Sequence, residues 1–344
     1  MTRPMNRQWL LERRPEGLVS PQDFRLVRVP APEPADGEAL VRNLYLSIDP
    51  TQRGWMAADT YLPAVRIGDV MRSFAVGQVV ESRHPALRPG QRVQGLFGWQ
   101  DYAIARPGTP SSPTPVPSGL PIETAMSALG LTGITAYFGL LEVGRPRPGE
   151  TVVVSGAAGA TGSAAAQIAR IAGCRVVGIA GGAEKCRFLV EDLGLDGAVD
   201  YKSENVAARL RELCPAGIDV FFDNVGGPAL DAVLQLLALR GRVVLCGGIS
   251  HYNDARPASG PASYLNLVSR RGRMEGFIVL DYLARSGEAV TALSGWLREG
   301  KLKDRVDVME GLENAPAALR RIFEGRNSGK QLVKVASPDP DPAP

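Results

Sequence analysis

Histidine and cysteine are scarce in this chain, two and four among 344 residues. A catalytic zinc needs such ligands converging on one point, and a structural zinc needs close CxxC-type pairs. No two of Cys174, Cys186, Cys214 and Cys246 stand closer than 12 positions, and the two histidines are His84 and His251. The expectation is no metal site, and free thiols kept in a reducing cytoplasm. Charge of one sign is missing too. A net charge of +3 gives no reason to expect nucleic acid or a membrane surface as partner. No apolar run approaches the roughly 20 residues of a membrane span, and the opening MTRPMNRQWLLERRPEG carries no signal-peptide core. With 44% hydrophobic residues, a chain of this length is expected to form about two soluble domains. The closing SPDPDPAP, residues 337–344, holds only small residues, prolines and aspartates and is expected to be disordered.

Residues 151–167, TVVVSGAAGATGSAAAQ, carry the strongest positive signal. A β-branched strand runs into a small-residue turn with Gly156, Gly159 and Gly162, and an alanine-rich helix follows. Glycines let the backbone approach a pyrophosphate, and the helix N-terminus presents free N–H groups at the positive end of its dipole. The strand before and the helix after give the glycine pattern the context it needs. In NAD-binding units an acid about 20 residues past the glycines holds the ribose 2′-hydroxyl. The second strand, RVVGIA (175–180), ends instead in Gly181-Gly182, followed by Lys185 and Arg187, with Tyr201 and Lys202 after the next strand. A missing acid and an added lysine favour a 2′-phosphate, hence NADP(H).

Residues 6–127 are short strand-like segments punctuated by proline and glycine, as in FRLVRVPAP, GEALVRNLYLSI and GQRVQGLFGWQDYAIA. GITAYFGLLEVG then reads as a helix ended by Gly144 and two prolines. Strands at 151–155, 175–180, 197–201, 218–223 and 241–246 alternate with helices at 160–172, 184–194, 204–213 and 228–239. This alternation means a parallel sheet covered on both faces. A sixth strand is expected at 273–280, helices at 285–300 and 315–324, and a last strand at 331–336 that rejoins the first domain.

Ligands of open α/β sheets lie beyond the carboxyl ends of the strands. Those ends carry Gly156–Gly162, Asp223-Asn224-Val225-Gly226, Cys246-Gly247-Gly248-Ile249-Ser250 and Gly276–Val279. Asn224 has two readings, a contact to cofactor polar edges or a turn that starts the next helix. Cys246 itself reads as a core thiol.

A strand-rich front domain, a nucleotide-binding insertion and a return to the first domain resemble the zinc-independent medium-chain dehydrogenase/reductase superfamily. The segments LYLSIDPTQRG (44–54), GLTGITAYFGLLEVG (130–144), SGAAGATG (155–162), AGGAEK (180–185), FFDNVGG (221–227), CGGISHYN (246–253), RMEGFIV (273–279) and GRNSGKQLVKV (325–335) narrow this to its leukotriene B4 dehydrogenase/prostaglandin reductase family of enone and alkenal reductases. The resemblance implies an α/β architecture: a GroES-like β-barrel catalytic domain (1–127 with 305–344) and a Rossmann doubly wound parallel-sheet domain (128–304). It implies NADPH-dependent reduction of the carbon–carbon double bond of α,β-unsaturated ketones or aldehydes, by hydride transfer to the β-carbon. A quinone reductase and a non-catalytic NADPH-binding protein are the alternatives. It also implies a homodimer, paired through an edge strand such as RMEGFIVL.

Carried over by position, Gly159, Ala160, Thr161 and Gly162 meet the pyrophosphate, and Lys185 and Tyr201 the 2′-phosphate. Asn224 and the stretch Cys246, Gly247, Gly248, Ile249, Ser250 and Tyr252 meet the ribose side. Phe277, Ile278 and Val279 meet the nicotinamide, and Asn327 the cofactor from the opposite side. The reaction needs a donor for the carbonyl oxygen, for which Tyr252 is the first candidate, with Tyr264, Tyr61 and a cofactor ribose hydroxyl as others. Two departures stand out. Thr51-Gln52 occupies the DPxxRG element where relatives carry tyrosine and methionine, so a more polar or roomier pocket is expected near Asp49–Arg53. Ser269 stands where relatives place a tyrosine. Arg53 has two readings, a binder of acidic substrate or a structural arginine paired with a carboxylate.

Overall fold

The computed structural model describes residues 3–108, 112–116, 119–254 and 259–339. It divides into two compact units. The first is Met1–Met126, Asp307–Asn327 and Gln331–Pro344, and the second is Ser127–Val306 with Ser328–Lys330.

The first unit begins with a hairpin of β1 (Met5–Leu11) and β2 (Phe24–Pro30). Next come β3 (Ala39–Ser47), α1 (Thr51–Ala57), β4 (Ala75–Ser82), β5 (Arg92–Gly95), β6 (Tyr102–Ala105), β7 (Thr114–Pro115) and α2 (Ile122–Met126). β3 is almost wholly buried and is the hub of an antiparallel sheet, pairing with β4 and β6. Trp55, Met56, Phe97 and Trp99 fill the core of this unit.

The second unit runs α3 (Leu131–Phe138), β8 (Thr151–Ser155), α4 (Ala160–Ile171), β9 (Arg175–Ala180), α5 (Ala183–Arg187), β10 (Gly197–Asp200), α6 (Val206–Leu213), β11 (Ile218–Asp223), α7 (Gly227–Gln235), β12 (Leu237–Leu245), α8 (Asn266–Arg270), β13 (Arg273–Gly276) and α9 (Ser286–Arg298). Its parallel six-stranded sheet has the order β10-β9-β8-β11-β12-β13. β8 lies centrally because its five residues are all buried, as a run of valines covered on both faces demands. Val153, Val177, Phe221 and Val243 pack one face of the sheet.

The chain then forms β14 (Val306–Glu310), α10 (Ala315–Phe323) and β15 (Lys330–Lys334). β15 pairs antiparallel with β3, returning to the first sheet as expected. Among the expected bounds, three changes stand out. The helix at 228–239 stops at Gln235, because Leu237 already pairs with Ile218 and a bulge follows before Val220 meets Arg242. The strand expected at 273–280 ends at Gly276, and Val279–Arg285 coils into a 3₁₀ helix. The helix expected at 184–194 is α5 followed by a π-helical turn, Phe188–Asp192. Of the tail, Asp339 is held, its N–H donating to Gln78 Oε1 at 2.9 Å and its carboxylate 2.9 Å from Arg42. Residues 340–344 of the expected disordered segment lie outside the described residues.

Candidate active site

Three loops at the carboxyl ends of β8, β11 and β12 are knitted together in the second unit. After β8 the chain turns at Gly156 (φ +58°), and Gly159 in extended conformation starts α4. A Cβ on Gly162 would lie 2.3 Å from the Gly156 carbonyl oxygen, so only glycine lets the first turn of α4 sit this close to the strand end. Gly159, Ala160 and Thr161 are only half-buried, leaving the helix N-terminus accessible to a phosphate. The Ser328–Lys330 segment touches the same turn, with Gly329 bridged to Gly159 and its N–H donating to the Ala158 carbonyl at 3.1 Å. Asn327 is the residue just before this segment.

At the end of β9, Gly181 carries the Tyr201 ring. A Cβ there would meet ring atoms at 2.7–2.9 Å. Lys185 lies in the first turn of α5, so lysine and tyrosine follow the glycine pair on either side of it in the fold of this corner. The sequence reading missed an acid at this corner. Asp200, at the end of β10, accepts the Gly182 N–H at 2.7 Å, the Lys202 N–H at 3.0 Å and the Ser203 hydroxyl at 2.9 Å. The Gly182 N–H, first among these, holds its carboxyl below the usual range. That carboxylate is occupied in shaping the β9 turn.

At β11 the buried Asp223 accepts the Ser155 hydroxyl at 2.6 Å and the N–H groups of Val225 and Gly226 at 2.9 and 3.0 Å. Burial pushes its carboxyl up against these bonds. Asn224 donates its side-chain amide to the Ser155 carbonyl at 2.7 Å and its backbone N–H to Ser155 Oγ at 2.8 Å. Its amide thus ties β11 to β8, a role neither sequence reading contained; α7 is capped by Gly226. The loop after β12 folds onto the same turn. The N–H groups of Cys246 and Gly247 reach the Asp223 carbonyl, Ile249 N–H the Asn224 carbonyl, and Ser250 N–H and Oγ the Val225 carbonyl. Tyr252 closes the loop, its hydroxyl accepting the Gly248 N–H at 3.3 Å. Burial, with nearby Asp223, raises the Cys246 thiol to about 12, so it stays protonated.

The Phe277 ring faces the protein interior. A Cβ on Gly139 would lie 2.2 Å from its Cζ, and the ring meets Phe222 and Tyr282 edge-on. What Phe277, Ile278 and Val279 can offer a nicotinamide is therefore mainly backbone and the two aliphatic side chains. Among the described residues, no hydrogen bond brings Tyr264 to these loops. It is 55% exposed, next to Ser263, whose N–H and Oγ bond Asp231 and Gln235 of α7. Ser269 donates to the Asn266 carbonyl within α8.

In the first unit, Tyr61 shares a 2.7 Å hydrogen bond with Thr51 Oγ1. Gln52 is buried and donates to the Ser47 carbonyl. Arg53 is structural, as one of its two readings had it, but its partners differ: it is 4% exposed and its guanidinium donates to the carbonyls of Pro15 and Gly17 rather than to a carboxylate.

Residues 7–112 match the family model of an N-terminal domain of oxidoreductase, and 160–294 that of a zinc-binding dehydrogenase. The NADPH-dependent curcumin reductase of Escherichia coli is 40% identical over 347 residues, covering 97% of this chain and 98% of that protein. The NADP(+)-dependent 2-alkenal reductase of Nicotiana tabacum is 38% identical, covering 96% and 98%. The chain belongs to the zinc-independent enone-reductase family of medium-chain dehydrogenases/reductases.

The crystal structure of CurA from Vibrio vulnificus in complex with NADPH superposes with a TM-score of 0.91 at 42% identity, covering 96% of this chain and all of that one. Within this enone-reductase framework, no group of three or more His, Cys, Asp or Glu side chains among the described residues is placed to hold a metal ion. No helix among them is long and apolar enough to cross a membrane.

Proposed function

We propose that this protein reduces the carbon–carbon double bond of α,β-unsaturated ketones and aldehydes, with NADPH as the reductant. The observation that carries the reading is the knitted cradle at the ends of β8, β11 and β12, flanked at β9 by Lys185 and Tyr201. It fits a dinucleotide: Gly162 removes the side chain that would push α4 away, and Gly181 leaves room for the Tyr201 ring. NADPH supplies a hydride for the β-carbon when bound.

The chain's own residues hold that cofactor and meet the charge that develops on the carbonyl oxygen. Ala160 and Thr161 lie at the α4 N-terminus, where a pyrophosphate is stabilised. Lys185 supplies the charge for a 2′-phosphate, with Tyr201 against it. Tyr252 donates to the carbonyl oxygen. Its hydroxyl accepts a bond from Gly248 N–H, and that bond polarises the O–H toward donation. Asn327, Ile278 and Val279 complete the cofactor contacts.

We further propose a homodimer through the edge strand β13. Support comes from its place at the end of the sheet and from the exposed Tyr264, Leu265 and Val268 beside it in sequence. A cytoplasmic location agrees with four free cysteines. The test is NADPH consumption with matched enones, enals and quinones, repeated with NADH. Turnover of enones with NADPH preferred supports the reading. Turnover of quinones alone replaces it, and cofactor binding without turnover of any acceptor leaves only a binding protein.

A further inference from the structure

Arg305, in the second unit, lies in the segment between α9 and β14, and the backbone of this segment is fastened across α4. The Lys303 N–H donates to Gln167 Oε1 at 2.7 Å, and Gln167 Nε2 donates to the Lys303 carbonyl at 3.0 Å. Two residues on, the Arg305 carbonyl accepts the Lys330 N–H at 2.8 Å, beside the Gly329 that is bridged to Gly159. A Cβ on Gly329 would lie 3.0 Å from Arg305 Cβ, so the arginine leaves the main chain next to the glycine turn. Arg305 also lines a small cavity together with Ala160 and Ser163, both in the first turn of α4.

From there the side chain runs to α5. Its guanidinium carbon lies 4.5 Å from the centre of the Phe188 ring. Phe188 comes three residues after Lys185 in a continuous helical segment, and residues three apart are neighbours on a helix surface. The guanidinium is thus held on a ring that neighbours the Lys185 stem. Among the described residues it makes no hydrogen bond and no ion pair, so its five N–H donors are unused by the protein. Other cations nearby are engaged: Lys303 Nζ donates to the Asp192 carbonyl at 2.6 Å, and Arg170 to the Leu193 carbonyl at 2.5 Å.

A guanidinium laid on an aromatic face is fixed in plane while the donors along its edge stay available. That fork matches a phosphate with two parallel charge-assisted bonds. The backbone N–H groups at the α4 N-terminus already serve the pyrophosphate. A 2′-phosphate carries about −1.5 to −2 charge at neutral pH, and Lys185 brings one positive charge to it. Asp200, whose carboxylate shapes the same corner, adds a negative charge there. A second cation is therefore needed, and Arg305 is half-buried, preset and unpaired beside this place.

We propose that Arg305 is a second 2′-phosphate-binding residue, meeting that group from the α4 side opposite Lys185, and that it helps set the preference for NADPH over NADH. The proposal rests on the NADPH-dependent reading and adds to it a residue that no motif marks.

The experiment measures dissociation constants by fluorescence and calorimetric titration with NADPH, NADH, adenosine 2′,5′-bisphosphate and 5′-AMP. In Arg305→Met, which keeps a stem on Phe188, the Kd for NADPH and for adenosine 2′,5′-bisphosphate is expected to rise roughly tenfold or more, and that for NADH and 5′-AMP to stay within about twofold. Arg305→Lys keeps the charge without the fork and should weaken NADPH by about threefold. NADH and 5′-AMP lack the 2′-phosphate, so their unchanged binding excludes a merely structural role for the arginine on its ring. Equal losses for both cofactors overturn the assignment, and so does an NADPH affinity that Arg305→Met leaves in place. Should Arg305→Met fail to fold, Arg305→Lys decides by the same ratio: a preference for NADPH equal to that of the wild type overturns the assignment. A wild-type protein that binds neither cofactor refutes the NADPH-dependent reading and this assignment with it, whereas a preference that survives in the variants refutes the assignment alone.

Discussion

Asp223 is the keystone of the cofactor cradle, and its replacement gives the sharpest test of how the cradle is held. Its carboxylate is the acceptor for two backbone N–H groups, Val225 and Gly226, and for the Ser155 hydroxyl. Asp223→Ala leaves both amides without an acceptor in a buried place. At about 1–3 kcal/mol for each orphaned group, less what is regained by removing a desolvated charge, the loss is about 2–4 kcal/mol. For a unit of this size that lowers Tm by roughly 5–15 °C. Asp223→Asn keeps Oδ1, which accepts all three bonds, and is expected within about 1 kcal/mol of the wild type. The pH dependence separates charge from hydrogen bonding. Burial raises the Asp223 carboxyl in the folded protein above its unfolded value. Between the two values the folded state binds the extra proton, so stability falls as pH rises through that window, which opens near about pH 3.9. Asp223→Asn lacks this dependence. Wild type should therefore gain on Asp223→Asn as pH is lowered from about 8 to about 4. Melting followed by circular dichroism across that range measures both effects. If Asp223→Asn proves as damaging as Asp223→Ala, or if Asp223→Ala melts with the wild type, the hydrogen-bond account of the cradle is refuted.

Gly162→Ala forces a methyl to 2.3 Å from the Gly156 carbonyl, and overpacking of this kind costs about 1–3 kcal/mol. NADPH affinity, measured by fluorescence titration, should drop together with Tm; unchanged values would show that the turn relaxes freely. Lys185→Ala should raise KM for NADPH by roughly tenfold or more while leaving KM for NADH within about twofold, since only the former carries the charge that lysine meets. An equal effect on both cofactors would remove Lys185 from the phosphate site. Tyr252→Phe should lower kcat by about 100-fold with little change in NADPH affinity, as loss of an oxyanion donor does. A rate near wild type would pass the role to Tyr61 or to a cofactor hydroxyl.

The parts of this architecture that were legible in the sequence are those written in short-range pattern. β8 reads as a buried parallel strand because five consecutive residues must face apolar layers, and Gly156, Gly159 and Gly162 mark a turn that only small residues can make. The last strand was expected to rejoin the first domain, and β15 does pair with β3. The direction in which a strand-end side chain turns was not legible, because it is set by partners far away in sequence. Asn224 bonds Ser155, 69 positions earlier. Asp200 shapes a turn on the neighbouring strand, Phe277 turns toward Gly139, and Arg53 reaches back to Pro15 and Gly17.

These inward-turned side chains share one consequence. Polar residues at the sheet's carboxyl edge, which a motif reading assigns to the ligand, are bonded instead to one another: Ser155 to Asp223 and Asn224, and Ser250 to the Val225 carbonyl. What faces outward is therefore largely backbone and a helix terminus, held in place before any ligand arrives. A cradle fixed in this way loses little conformational freedom on binding, so more of the interaction with a dinucleotide appears as affinity. It also divides the work. In the proposed reading the cradle meets features common to dinucleotides, and Lys185 and Tyr201 at β9 meet the 2′-phosphate. Loss of Lys185 should then leave affinity for NADH largely in place, whereas loss of the cradle weakens both cofactors alike.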